Sequence, residues 1–158
     1  MVFATSFLPG SANPAENEVN IVREENIPLI TQKTVRYPLD NFTFSQGYSL
    51  FHPAIDLAAP VGTEVKPIKN GVVEAVSQSK YGYGNAVIIN HGGEVTSLYG
   101  HLSKINVAEG EKVTTNSVIG EVGRTGHATG PHLHLEVRRN GIPINPFAVL
   151  PFPASSRG

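Results

Sequence analysis

From Arg36 onward the chain runs in short stretches rich in valine, isoleucine and tyrosine, each cut off by glycine or asparagine after a few residues. No apolar pattern of helical period is sustained anywhere, so an amphipathic helix has nothing to form from. An all-β domain is expected. Strands are expected around residues 64–68, 71–77, 86–90, 94–99, 118–122 and 132–138. Asn90-His91-Gly92-Gly93 separates two of these runs and Asn140-Gly141 follows the last. An Asn-Gly pair readily takes the positive φ of a tight hairpin turn, so the pairing should be antiparallel. The stretch GTEVKPIKNGVVEAV from Gly62 echoes GEKVTTNSVIGEV from Gly110, as two similar elements of one β-sandwich or flattened barrel would.

Residues 1–36 are rich in Pro, Ala, Asn and Glu and read as a tail or linker, residues 37–152 as one domain, and 153–158 as a C-terminal tail. The opening MVFATSFLPGSANPA is mildly apolar without a basic leader, so it is not a complete secretory signal. No apolar run approaches the ~20 residues of a membrane span. The 12 basic and 13 acidic residues give a formal charge of −1, which leaves no broad electrostatic footprint for nucleic acid or an anionic membrane. With no cysteine, any metal must be held by imidazole and carboxylate. A monomer is expected.

The histidines carry the chemistry. In a strand alternate side chains share a face, so His132, His134 and Glu136 point one way and Leu133, Leu135 and Val137 the other. The leucines belong to the core and the imidazoles to a groove, with Glu136 carried toward the strand edge. His52 and Asp56 stand four apart in FHPAIDLAAP, where Pro53 supports a bend that lets both converge on one ion. Alone such a pair is commonplace. His101, in SLYGHLSKI, follows an expected strand and fits either an ordinary strand-end histidine or an imidazole that orients a water. His91 falls in an expected turn and reads as structural or surface.

The segments FHPAIDLAAPVGTEV, LYGHLSKI and VGRTGHATGPHLHLEV resemble the three signature blocks of the lysostaphin-type zinc metallopeptidases, which cut peptide bonds in bacterial peptidoglycan. The likeness runs from about residue 37 to 151. It implies one Zn2+ held by His52, Asp56 and His134 with water in the fourth position, and His101 and His132 as the two catalytic histidines that are not ligands. It also implies a substrate groove walled by loops 41–50, 77–85 and 124–131, with peptidoglycan as partner and the cell envelope or exterior as the place of action. Tyr48, Asn85, His127 and Thr129 are groove candidates, Tyr48 as a possible oxyanion donor, and Tyr81 and Tyr83 are candidates to stack on substrate. Two positions depart from the family pattern. Ala54 and Asn116 stand where glycine is usual, and Asn116 is expected to accept a left-handed backbone. The alternative is a catalytically silent or tail-occluded wall-binding module that activates another hydrolase, although such relatives typically lack a metal residue and here all five positions are filled. A biotinyl or lipoyl carrier barrel would need a lysine in a Met-Lys-like hairpin tip, which the chain lacks.

Overall fold

Alternation along one strand divides the molecule into a core side and a reactive side. In His132–Arg139 (β9), Leu133, Leu135 and Val137 are fully buried among other apolar side chains, while the intervening residues face away. The computed structural model describes residues 35–153, so the expected N-terminal tail lies almost wholly outside the described residues, as do 154–158. The other strands are Thr43–Gln46 (β1), Ile55–Ala58 (β2), Glu64–Val65 (β3), Gly71–Ser77 (β4), Asn85–Asn90 (β5), Val95–Ile105 (β6), Lys112–Val113 (β7), Gly120–Val122 (β8) and Ile142–Ile144 (β10). A single 3-10 turn, Pro146–Ala148, is the one helical element among the described residues.

All pairings are antiparallel. The sheet runs β1-β2-β9-β6-β5-β4-β7, with β10 added on β9 and the β3–β8 pair added on β6. Its ends do not meet, so the all-β antiparallel architecture holds without closure into a barrel. The Asn140-Gly141 turn takes φ 52° and 76° and joins β9 to β10, as its sequence predicts.

β6 is the hub, and it extends past the expected end at Tyr99. Its first half pairs with β9 as far as Gly100 opposite His134; its second half, Leu102–Ile105, pairs with β8. The switch occurs at His101. Opposite it, Val87 pairs with Tyr99 and Asn85 with Leu102, so Ala86 alone faces Gly100 and His101. This is a β-bulge, and His101 occupies it at φ 62°. A left-handed non-glycine residue costs on the order of 1–3 kcal/mol. The bulge is held by the His101 N–H, which donates to the Tyr83 carbonyl at 2.7 Å.

Four strands have no clear sequence signal. β1 is exposed throughout, so it shows no apolar alternation, and β2 lies inside the block that reads as a metal loop. β7 and β10 are two and three residues long. The expected strand at 64–68 shortens to β3 because Pro67 has no N–H to give and the Ile68 N–H goes to the Tyr99 hydroxyl. Asn116 does not take the left-handed conformation expected of it. Its turn is closed by one backbone bond, Ser117 N–H to the Thr114 carbonyl at 3.0 Å, and by two hydroxyls, with Thr114 N–H donating to Ser117 Oγ at 2.9 Å and Asn116 N–H to Thr114 Oγ1 at 3.3 Å. Ala54 is fully buried, its N–H on the His52 carbonyl, so the added methyl is absorbed by packing.

His91 is structural. Its Nδ1–H donates to the Asn70 carbonyl at 2.9 Å, which leaves Nε2 to accept from Ser97 Oγ at 2.7 Å. Ser97 is in turn hydrogen-bonded to the buried Tyr99 hydroxyl at 2.8 Å. Protonating Nε2 would reverse this relay and leave the Tyr99 hydrogen without an acceptor. Burial holds the His91 pKa below its ordinary 6.5, against the raising effect of the Asn70 hydrogen bond. Above that value the ring is neutral folded or unfolded; as pH falls through it, the unfolded chain takes a proton that the folded chain resists, and stability drops. Thermal melts from about pH 7 to about pH 5 should show a steeper loss for the parent than for His91→Gln. Parallel curves would remove His91 from the acid response.

Candidate metal centre and catalytic cleft

Pairing of β2 with β9 sets Asp56 directly opposite His134 and Ala58 opposite His132. Opposed residues of an antiparallel pair share a face, so the register alone brings the aspartate to the second histidine. His134 Nδ1 lies 2.9 Å from Asp56 Oδ1. On the other flank of β9 the opposed residue is Gly100, where a Cβ would meet the His134 Cβ at 3.4 Å.

His52 reaches the same point from a tight turn. Ser49 and His52 bond to each other through both backbone pairs, and Ser49 Oγ accepts the His52 N–H as well. The ring donates Nδ1–H to the Gly47 carbonyl at 3.0 Å, which points Nε2 inward, 3.2 Å from Asp56 Oδ2. That Nε2 is buried and has no hydrogen-bond partner. A buried nitrogen lone pair without a donor is costly, and one aimed at a carboxylate and a second imidazole is what a cation relieves. Ligand atoms of His52, Asp56 and His134 lie within 4.8 Å of one another. Two imidazoles and a carboxylate, with no sulfur, suit zinc and leave a fourth position open.

The electrostatics agree with a site built for positive charge. Burial pushes Asp56 up, but the hydrogen bond from His134 and the charges of His134, His132 and His52 outweigh it and hold the carboxyl below its usual value. Burial pulls His134 down, yet its hydrogen bonds to Asp56 and Glu136 lift it to about 9.

The two remaining histidines are held in one tautomer. His101 Nδ1–H donates to the Thr125 carbonyl at 2.8 Å and His132 Nδ1–H to the Gly130 carbonyl at 2.9 Å, so each keeps Nε2 free. Their rings are 4.8 Å apart, and His132 Nε2 is 3.6 Å from Asp56 Oδ2. Burial holds His101 below the ordinary histidine value, partly offset by its bond to Thr125, which favours the neutral, proton-accepting ring. Thr125 itself is pinned by its hydroxyl, which donates to the Leu102 carbonyl and accepts from the Asn85 N–H. Beside it Gly126, at φ 69°, meets Gly84 so closely that a Cβ would lie 2.3 Å from the Gly84 nitrogen.

These residues open on a cleft of about 390 Å³ lined by all five histidine and aspartate positions. Each expected wall contributes: Gln46 from the first loop, Gly82 and Tyr83 from the second, His127 and Thr129 from the third. Tyr48 and Asn85 are not among the lining residues. Asn85 is committed to the ladder opposite Leu102, and Tyr48 precedes the Ser49–His52 turn, 37 % exposed. Tyr83 lines the cleft, 41% exposed, with its hydroxyl bonded to Glu136, and Tyr81 is exposed. Glu136 is not at an edge. It is 2 % exposed beneath His134, and although burial alone would raise its pKa, the bonds it accepts from His134, Tyr83 and Arg138 hold it at about 2. Its place on the face of His132 and His134 was readable from alternation; its burial depends on Tyr83, 53 residues away.

Residues 50–146 match peptidase family M23. The chain belongs to that family. Among curated relatives, the DD-carboxypeptidase/endopeptidase Mpg of Neisseria meningitidis serogroup B is 52% identical over 103 residues, covering 65% of this chain and 24% of that protein. The chain thus spans about a quarter of the length of that relative. Among solved structures, a zinc-containing peptidase from Vibrio cholerae superposes with a TM-score of 0.67 at 31% identity, over 71% of this chain and 39% of the other. The antimicrobial peptidase lysostaphin from Staphylococcus simulans gives 0.67 at 31% identity, over 73% and 53%. The matched span includes the His-Asp-His cluster of His52, Asp56 and His134.

Proposed function

We propose that this chain is a zinc-dependent endopeptidase that hydrolyses peptide bonds of bacterial peptidoglycan, acting outside the cytoplasm in the cell envelope or beyond it. The observation that carries the reading is the buried, unpartnered Nε2 of His52, converging with Asp56 and His134 beside two histidines whose Nε2 atoms are free. Among the described residues no helix is long and apolar enough to cross a membrane.

His52, Asp56 and His134 would hold the ion. When bound, zinc supplies a water acidified to near neutral pH and a polarising charge for the scissile carbonyl. Of His101 and His132, one accepts the proton of the attacking water at Nε2, and the other steadies the developing oxyanion or passes the proton to the leaving amine. Their Nδ1 bonds to backbone carbonyls fix the rings so that neither has to reorient during the reaction. The open cleft, walled by loops on three sides, admits an extended peptide. Of the bonds in the wall, the D,D cross-link is favoured, on 52% identity to a protein named as a DD-carboxypeptidase/endopeptidase against 33% to one from Staphylococcus capitis named as a glycyl-glycine endopeptidase.

Mass spectrometry of products released from purified peptidoglycan tests the reading. Zinc-loaded protein should release peptides cut at the D,D bond, and a chelated control should release none. Walls of several chemistries left intact by the loaded protein would favour a wall-binding activator instead.

A further inference from the structure

Glu136 has no task in the scheme above, yet it is among the most thoroughly buried polar residues of the chain. A carboxylate can only accept hydrogen bonds, so each neighbour must donate. Tyr83 Oη donates to Oε1 at 2.5 Å, His134 Nε2–H reaches the same oxygen at 3.2 Å, and Arg138 donates to Oε2 through Nε at 2.8 Å and Nη2 at 2.6 Å. Arg138 Nη2 also reaches the Tyr83 hydroxyl at 3.4 Å, which closes the cluster. The carboxylate is therefore fixed in position before any substrate arrives.

The consequence falls on His134. Its ring lies between two carboxylates, Asp56 at Nδ1 and Glu136 at Nε2. When an ion takes a nitrogen lone pair, the ring keeps a single proton. If that proton stayed on Nδ1, it would remain in a hydrogen bond to Asp56 Oδ1 and His134 would offer the ion no lone pair on that side. If it stays on Nε2, Nδ1 is free on the side where His52 Nε2 and Asp56 converge. We infer that Glu136, clamped by Tyr83 and Arg138, is the positioning residue that keeps the His134 proton on Nε2 and so reserves Nδ1 for the metal. The inference rests on the metal reading above and extends it to a residue that touches neither ion nor substrate. Tyr83 gives it reach. The same residue that closes on Glu136 with its hydroxyl holds the His101 bulge with its carbonyl, so one segment braces a metal ligand and a catalytic imidazole together.

Zinc affinity of the full chain, measured by competition with a chelating dye, separates the possibilities. Glu136→Gln should bind zinc about 10- to 100-fold more weakly, the loss typical when an outer hydrogen-bond partner of a ligating histidine is removed. Its metal-free melting temperature should fall, because the amide leaves Arg138 without its counter-charge, so affinity is compared at a temperature where circular dichroism shows both proteins folded. In the parent loaded with cadmium-113 and labelled with nitrogen-15 at histidine, the metal coupling should fall on His134 Nδ1, with the proton on Nε2. Unchanged affinity in Glu136→Gln, or coupling at Nε2, overturns the inference while leaving the metal site standing. A parent that binds no zinc overturns the metal reading itself, and this inference with it. Should the single variant fail to fold, Glu136→Gln combined with Arg138→Gln removes both charges together; weakened zinc binding in that protein supports the role, and unchanged binding refutes it.

Discussion

His101→Ala should bind a single zinc as tightly as the parent and lose peptide cleavage by about 10²- to 10⁴-fold, the usual worth of a positioned acid or base. The ring makes one polar contact of its own, with the Thr125 carbonyl, and it is not among the clustered ligand atoms. Alanine keeps a Cβ in the left-handed bulge, so the backbone cost at φ 62° is neither added nor relieved. The measurement is paired: zinc-induced stabilisation by thermal melt, and product release from purified walls. Retained stabilisation with lost release is the expected pattern. Loss of zinc binding would make His101 a ligand and require the division of labour among the histidines to be redrawn.

His52→Ala should fail on both counts. Removing a direct ligand should weaken zinc binding by more than the ~10- to 100-fold that follows loss of an outer partner, and cleavage should disappear with it. The metal-free fold should survive, since the ring's hydrogen bond is to Gly47 in an exposed turn rather than to the core. A ligand that binds only the folded state stabilises it in proportion to the logarithm of its concentration over Kd. Adding zinc should therefore raise the melting temperature of the parent and of His101→Ala, and leave His52→Ala unmoved. A rise in His52→Ala equal to the parent's would take His52 out of the site.

The chemistry of this chain is more legible in its sequence than its topology. His132 and His134 announce themselves because a strand's period places them together, and the first block pairs His52 with Asp56 across a proline bend. What sequence does not carry is strand neighbourhood. Nothing in IDLA says that β2 lies between β1 and β9, yet that placement alone puts Asp56 against His134. Glu136 shows the same limit. Its face follows from alternation, but its depth follows from Tyr83 and Arg138 closing over it. Asn116 fails for a different reason, since Thr114 and Ser117 shape its turn with hydroxyls where a backbone signal was expected.

Asp56 and His134 are 78 residues apart and meet only through the β2–β9 ladder. β9 is also among the last strands of the chain and inserts between β2 and β6 rather than adding at an edge. Contacts of such long sequence separation form late, because the intervening loop must be closed before they reward the chain. A nascent or partly unfolded molecule, with β9 not yet inserted, therefore has neither an assembled metal cluster nor a cleft. On the proposed reading the ion has no complete seat until β9 is in place, so metal uptake is coupled to completion of the sheet.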